Sequence, residues 1–417
     1  MKTTESTVSL DFTAAAERLK GIVKRTPLEF NPGLSAQYNA NIYLKREDMQ
    51  VVRSYKLRGA YNMISSLSAT EAANGVVCAS AGNHAQGVAH SCKKLNIKGV
   101  IFMPEITPKQ KVKQTKMFGG DNIEVVLVGD TFDDCLREAL QYTSQHGMKF
   151  IPPFDHHKII EGQGTVGVEI YEDLPDLDIV IMPVGGGGLA AGVSNYLRSV
   201  KPDVILIGTE PLGAPSMKHA FSHEGPLTLD HIDRFVDGAA VKRVGELTYT
   251  YCRSLLNEML LVPEGKICTS ILKLYNEDAI VAEPAGALSI AALDQLREQI
   301  KGKTVVCVVS GGNNDIERMQ EIKEKSLLFE GLKHYFIVRF PQRPGALKLF
   351  VSNVLGPHDD ITRFEFIKKT ERENGPALVG IELKDPQDYA GLLQRMKDFK
   401  FEVIELNQDQ TLFEYLV

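Results

Sequence analysis

The chain has 417 residues, 43% of them apolar and 24% charged, with 47 Lys+Arg against 53 Asp+Glu. That composition excludes collagen-like, mucin-like and wholly disordered chains, and a net charge of −6 offers no footprint for nucleic acid or an anionic membrane surface. At roughly 100–200 residues per domain, the length predicts two or three domains.

The first stretch, Met1 to Gly21, lacks the apolar core of a signal peptide. Asp11, Glu17, Arg18 and Lys20 interrupt it as a short amphipathic helix would require. From about residue 40 to 315, β-type runs alternate with helical stretches, which predicts an α/β region with a mainly parallel sheet. The predicted strands are Asn41–Lys45, Gly75–Ala79, Val100–Met103, Ile123–Leu127, Asp178–Pro183, Val204–Thr209 and Thr304–Ser310. The predicted helices between them include Ser54–Leu67, Ala85–Leu95, Pro108–Phe118, Phe132–His146 and Ala190–Val200. The stretch from Ile179 to Ser199 has few charges, but Pro183 and four successive glycines exclude a membrane span.

A charge-rich segment, Ile316–Phe329, reads as a polar helix or linker, and after it the pattern changes. A strand at His334–Phe340, a helix at Gly345–Leu355, strands at Ile361–Lys368 and Ala377–Leu383, a helix at Gln387–Asp398 and a strand near Glu402–Leu406 give the order βαββαβ, which is ferredoxin-like. The division expected is an α/β region at 1–320, with a smaller lobe at roughly 45–150 inserted in a larger one, a linker at 321–333 and a final domain at 334–417.

The six cysteines form no C-x-x-C pair, and Cys78 and Cys307 sit within apolar strand-like runs. Scattered thiols of this kind suit a reducing compartment, so cytoplasm is the expectation. No metal site is read from the sequence.

Three predicted strands end in glycine-rich turns: Ser80-Ala81-Gly82-Asn83-His84, Gly185-Gly186-Gly187-Gly188-Leu189 and Ser310-Gly311-Gly312-Asn313. In a parallel sheet such turns open at the carboxyl ends, where ligands bind. Backbone N–H groups of a glycine run leading into a helix converge on one anion, and the run suggests that no Cβ is tolerated near the ligand. A dinucleotide reading is weaker, because Gly185, Gly187, Gly188 and Gly192 do not fit G-x-G-x-x-G, although Glu210 closes the next strand. Lys56, at a helix start that Ser54 would cap, favours an aldehyde cofactor held as a Schiff base with its phosphate in the cradle. For an arbitrary lysine, a solvated helix face is the commoner situation.

Ser54-Tyr55-Lys56-Leu57-Arg58-Gly59-Ala60, the Ser80 and Gly185 turns and Ser310-Gly311-Gly312-Asn313 together resemble the fold type II pyridoxal-phosphate enzymes, and within them the threonine/serine dehydratases. The resemblance spans residues ~20–315. It implies that Lys56 is the catalytic lysine and holds pyridoxal 5′-phosphate. It further implies that Gly185, Gly186, Gly187, Gly188 and Leu189 bind the phosphate, that Asn83 faces the ring 3′-oxygen, and that Ser310 faces the ring nitrogen. Ser80, Ala81, Gly82, Asn83 and His84 would receive the substrate carboxylate, with His84 supporting the turn rather than moving a proton. Gly162-Gln163-Gly164-Thr165 also recurs in the family and is read as helix packing beneath the site. Family racemases carry a serine where Ala81 stands, which implies little racemase activity here. A family cation site uses a glutamate matched by Glu210, but Ser216 stands where its second acid is expected.

Phe340-Pro341-Gln342-Arg343-Pro344-Gly345-Ala346-Leu347, Ser326–Leu332 and Asp360–Phe364 resemble the ACT-like regulatory domain of biosynthetic threonine dehydratases, present in one copy. The implied activity is β-elimination of L-threonine to 2-oxobutanoate and ammonia, opening isoleucine synthesis. Isoleucine and valine would be the effectors, and a homo-oligomer, a tetramer, the assembly. The alternatives are a serine/threonine dehydratase of catabolic type acting also on L-serine, a NAD-dependent oxidoreductase, and a non-catalytic amino-acid sensor.

Overall fold

The apolar runs and the stretches between them resolve into two mainly parallel sheets within the unit Met1–Asp315, and a separate antiparallel sheet within the unit Ile316–Val417. The computed structural model describes residues 9–366, 368 and 373–416. The amphipathic helix expected in Met1–Gly21 is Phe12–Leu19, with residues 1–8 of that stretch outside the described residues.

In the first unit the strands are β1 (Leu28–Phe30), β2 (Asn41–Arg46), β3 (Val76–Ala79), β4 (Gly99–Met103) and β5 (Ile123–Leu127). They continue with β6 (Lys149–Phe150), β7 (Ile179–Pro183), β8 (Ile205–Pro211), β9 (Glu258–Val262) and β10 (Thr304–Val309). The larger sheet has the order β1-β2-β10-β7-β8-β9, parallel except for β1. The smaller sheet, β5-β4-β3-β6, is parallel throughout and comes from chain lying between β2 and β7. Strands β3, β4 and β7 are buried along their whole length, which is why they read as unbroken apolar runs rather than alternating ones. Helices cover their faces, and several ends are fixed locally. Thr131 and Asp134 form a reciprocal capping box before Phe132–His146, which stops at Gly147 in the left-handed region.

Three strands lay outside the sequence reading. β1 and β6 have three and two residues, and β9 is an edge strand that starts at an exposed Glu258. Ser54 does not cap the helix after it. That helix, Lys56–Ser65, has Tyr55 at its cap position with no side-chain bond, because the Ser54 backbone is committed to a bridge with Gly311.

The second unit holds β11 (Lys333–Pro341), β12 (Asp360–Phe366), β13 (Asn374–Glu382) and β14 (Glu402–Glu405), in the antiparallel order β12-β13-β11-β14. With the helices Ala346–Asn353 and Asp388–Asp398 this is βαββαβ, the ferredoxin-like arrangement expected, followed by a helix at Gln410–Leu416. The last residues of the expected strand Ile361–Lys368 include residue 367, outside the described residues. Phe336, Val338 and Phe340 alternate into a core closed by Phe350, Val379, Leu392, Met396 and Phe401. The rings of Phe340, Phe350 and Phe401 meet at 5.1–5.3 Å. The segment 321–333, expected as a linker, carries most of the helix Met319–Phe329, which buries Ile322 and Ser326 and falls within the second unit.

Candidate active site

Register places the site. β10 runs beside β2 from Thr304↔Asn41 to Val309↔Arg46, and beside β7 on its other flank. The turns that follow β3, β7 and β10 therefore all leave from carboxyl ends, the ligand-binding edge of parallel sheets. They line one cavity of about 680 Å³, together with Lys56 and segments around Pro153 and Ala239.

Lys56 opens its helix with Nζ 2.8 Å from the Pro153 carbonyl oxygen, to which it donates, and near the rings of Tyr55 and Phe154. Burial lowers its pKa to about 8, partly offset by the charge of Glu283. The helix is anchored two residues on. Arg58, fully buried, forks between Glu47 and Glu169 at 2.7 Å each, and Lys45 on β2 reaches Glu169 at 2.6 Å. Paired and hydrogen-bonded on all sides, these charges tie the lysine's helix to β2 and to the helix His157–Asp173.

The glycine turn after β7 fits an anion. None of the backbone N–H groups from Gly185 to Leu189 donates to a protein acceptor among the described residues, and Gly187, at φ +93°, caps the helix Gly188–Val200. Free N–H groups at the start of a long helix are what a phosphate needs. The glycines themselves are also required by the protein packed behind the turn. A Cβ would meet protein: Ala239 backbone at Gly185, the Phe154 ring at Gly186, Met217 and Thr248 at Gly187 and Gln163 at Gly188. The cradle is packed tightly from behind. Thr248 donates its hydroxyl to the Gly186 carbonyl at 2.6 Å, and its helix start is capped by Asp155, whose carboxylate accepts from the N–H groups of Glu246, Leu247 and Thr248. Gly188 and Leu189 are buried at the helix start and do not line the cavity wall.

In the turn after β3, the N–H groups of Ala81, Asn83 and His84 are likewise unspent among the described residues, while that of Gly82 goes to Ser80 Oγ. His84 Nε2 lies 2.9 Å from the Ile151 carbonyl, so this nitrogen carries the hydrogen and Nδ1 is left buried without a partner. Burial, and then the nearby Lys56, push its pKa down to about 3, so the ring is neutral and a prop for the turn. Ser310 is buried and its Oγ makes a long 3.3 Å bond to the Ala285 carbonyl. Asn83 accepts from Asn313 Nδ2 at 2.7 Å and donates to Glu283 at 2.6 Å. Glu283, Asn313, Asp155 and the Pro153 carbonyl were not singled out by sequence. Asn313 stood inside a quoted motif; the others carry no local signal.

Glu210 is also placed. Both its oxygens accept backbone N–H groups, from Met217 at 2.7 Å and Lys218 at 2.8 Å, and burial raises its pKa to about 8. Committed in this way, it is not available to a ribose hydroxyl, which removes the support of the dinucleotide reading. At the cavity mouth Lys111 and Asp237 pair at 2.6 Å, joining the helix Lys109–Gly119 to the segment around Gly238.

A lysine and a free N–H cradle facing one cavity between parallel sheets define an enzyme built around a phosphorylated aldehyde cofactor. Residues 19–311 match the family model of pyridoxal-phosphate dependent enzymes, and residues 324–416 match the C-terminal regulatory domain of threonine dehydratase. The chain is 58% identical over 408 residues to the L-threonine dehydratase biosynthetic IlvA of Halalkalibacterium halodurans, covering 98% of both chains. It is 57% identical over 404 residues to that of Bacillus subtilis, covering 97% of this chain and 96% of the relative. Among solved structures, the processed form of threonine deaminase isoform 2 from Solanum lycopersicum aligns with a TM-score of 0.72 at 40% identity, over 76% of this chain and 93% of that one. Maize serine racemase aligns with a TM-score of 0.71 at 28% identity, over 76% and 96%. The chain belongs to the biosynthetic threonine dehydratase family of pyridoxal-phosphate enzymes.

Proposed function

We propose that this chain converts L-threonine to 2-oxobutanoate and ammonia, and that the cavity holding Lys56 and the Gly185–Leu189 cradle is where it does so. The observation that carries the reading is the convergence, in one cavity, of a half-buried, readily deprotonated amine and a set of backbone donors unspent among the described residues. Pyridoxal 5′-phosphate would be held by Lys56, the cradle, Asn83 and Ser310, and when bound supplies an electron sink conjugated to the substrate Cα.

The chain's own residues then do three things. The free N–H groups of Ala81, Asn83 and His84 receive the substrate carboxylate at a helix start. Lys56, held by the Pro153 carbonyl, takes the Cα proton at Nζ, and its lowered pKa keeps a usable fraction unprotonated near neutral pH. Ser310 presents a hydroxyl, not a carboxylate, so it cannot hold a proton on a facing ring nitrogen, which favours elimination over amino transfer. Loss of the Cα proton and the β-hydroxyl releases water and an enamine, which hydrolyses to the oxoacid and ammonia. Ala81 has no hydroxyl to serve the opposite face, so inversion of configuration is not part of the reading.

Residues 334–417 would be the regulatory domain, sensing isoleucine with valine opposing it, in a cytoplasmic homotetramer. Among the described residues no helix is long and apolar enough to cross a membrane. The test is direct: purified protein with pyridoxal 5′-phosphate should show a visible absorption band and form 2-oxobutanoate from threonine, and Lys56→Ala should lose both. L-serine, run alongside, ranks the catabolic alternative. Isoleucine titrated into the full chain should release heat and lower the rate; no heat with either amino acid removes the regulatory reading.

A further inference from the structure

Glu283 is a buried carboxyl that the mechanism above does not use. It is the cap residue of the helix Pro284–Ala291, 5% exposed, and its side chain faces the cavity. Its surroundings are crowded on every side. Oε1 takes the Asn83 Nδ2 hydrogen at 2.6 Å, the nearby Asn313 backbone N–H favours the charged form, and a Cβ on Gly311 would collide with the same oxygen.

The opposite end of the Asn83 carboxamide is fixed as firmly. Asn313 Nδ2 donates both to Asn83 Oδ1, at 2.7 Å, and to the Val52 carbonyl, at 2.9 Å, so both its hydrogens are spent and it cannot turn. Rotating the Asn83 amide by half a turn would set two NH₂ groups against each other and its oxygen against a carboxylate. Neither arrangement contains a hydrogen bond, and in a buried site each costs a desolvated polar pair. One hydrogen on Asn83 Nδ2 then has no protein partner among the described residues.

We propose that Glu283 is a positioning residue: with Asn313 it locks the Asn83 carboxamide so that the remaining Nδ2 hydrogen is offered to the cavity, and it acts on the bound cofactor through Asn83. The inference rests on the reading of the cavity as a pyridoxal 5′-phosphate site. It also gives the site a second group that titrates near neutrality. Burial, and then the charge of Asp237, raise the Glu283 carboxyl to about 7, against the Asn83 bond, Lys111 and the Asn313 N–H. Tyr55 and Lys56 are the other ionisable groups it faces. Protonating Glu283 removes one of the two conflicts that oppose the flipped amide, because a carboxylic acid can donate to Asn83 Oδ1, while the conflict with the Asn313 NH₂ remains.

The test uses full-length apoprotein titrated with pyridoxal 5′-phosphate, with affinity read from the visible band and the band followed from about pH 6 to 9. Loss of one buried bond predicts that Glu283→Ala weakens binding roughly 5- to 100-fold. Asn83→Ala should do the same, and the double variant should be no weaker than the worse single one. Glu283→Gln, which still accepts from Nδ2 but does not titrate, should bind near wild-type strength and lose the spectral change that the wild type shows through about pH 7. Additive losses, wild-type binding in Glu283→Ala, or a pH change absent from wild type or retained in Glu283→Gln overturns the inference. Should Glu283→Ala fail to fold, the Gln variant alone decides. A wild-type chain that stays colourless overturns the underlying reading as well; a coloured, active one with unaffected variants overturns only the role of Glu283.

Discussion

At the scale of single residues, His84 makes the clearest prediction about pH. A free histidine takes a proton near 6.5, but this one does so only at about 3. Between those values the unfolded chain binds a proton that the folded chain refuses, so this residue lowers stability as pH falls from 6.5 toward 3. Glu283 has the reverse sign: its folded value of about 7 lies above the ordinary carboxyl range, so it adds stability as pH falls from 7 to 4.5. The two partly offset one another in wild type. His84→Gln keeps a donor for the Ile151 carbonyl and removes one slope, so its melting temperature should fall less steeply than wild type on acidification. Calorimetry at a series of pH values checks this. The glycines divide in a similar way. Gly186→Ala forces a Cβ into Phe154 and should cost about 1–3 kcal/mol and most of the cofactor affinity. Gly82→Ala meets nothing within 4 Å and should cost far less, as thermal melts and cofactor titration of the pair will show.

At the scale of elements, the helix that begins with Lys56 owes its position to a group two residues further on. Arg58→Ala leaves buried Glu47 without its cation and Glu169 with Lys45 alone, and the expected loss is about 3–5 kcal/mol in urea unfolding, with the lysine itself intact. Which elements could be read in advance follows from how their information is stored. β4, β7 and β10 are apolar runs because helices or chain cover both faces, and the turns after β3, β7 and β10 carry consecutive special residues. β1, β6 and β9 are short or lie at an edge, and gain their strand character from a neighbour rather than from their own pattern. Glu283 was illegible for a related reason. Its meaning lies in Asn83, 200 positions away, and nothing near it marks a buried carboxyl. Asp155 capping a helix 91 residues on is the same case. Ser54 shows the converse: a good capping residue by type, already engaged by the turn at Gly311.

At the scale of the whole chain, two units with separate cores should respond separately to damage. Phe350 lies fully buried among Phe340 and Phe401, and its replacement by alanine should cost the second unit about 3–5 kcal/mol. Calorimetry should then show an early transition assigned to residues 316–417, while the visible band persists to the temperature of the other. The strand order of the first unit has a different consequence. β10, the final strand of its unit, lies in the interior of the sheet, between β2 and β7, and carries Ser310 at its end. During synthesis, Lys56 and the glycine cradle leave the ribosome long before it. Until roughly residue 310 has emerged, β2 and β7 each present an unpaired edge, and the two halves of the site have no common floor. A growing polypeptide of this kind has the lysine and the glycine cradle but no place to hold a ligand, and its open strand edges are exposed to aggregation for the whole interval.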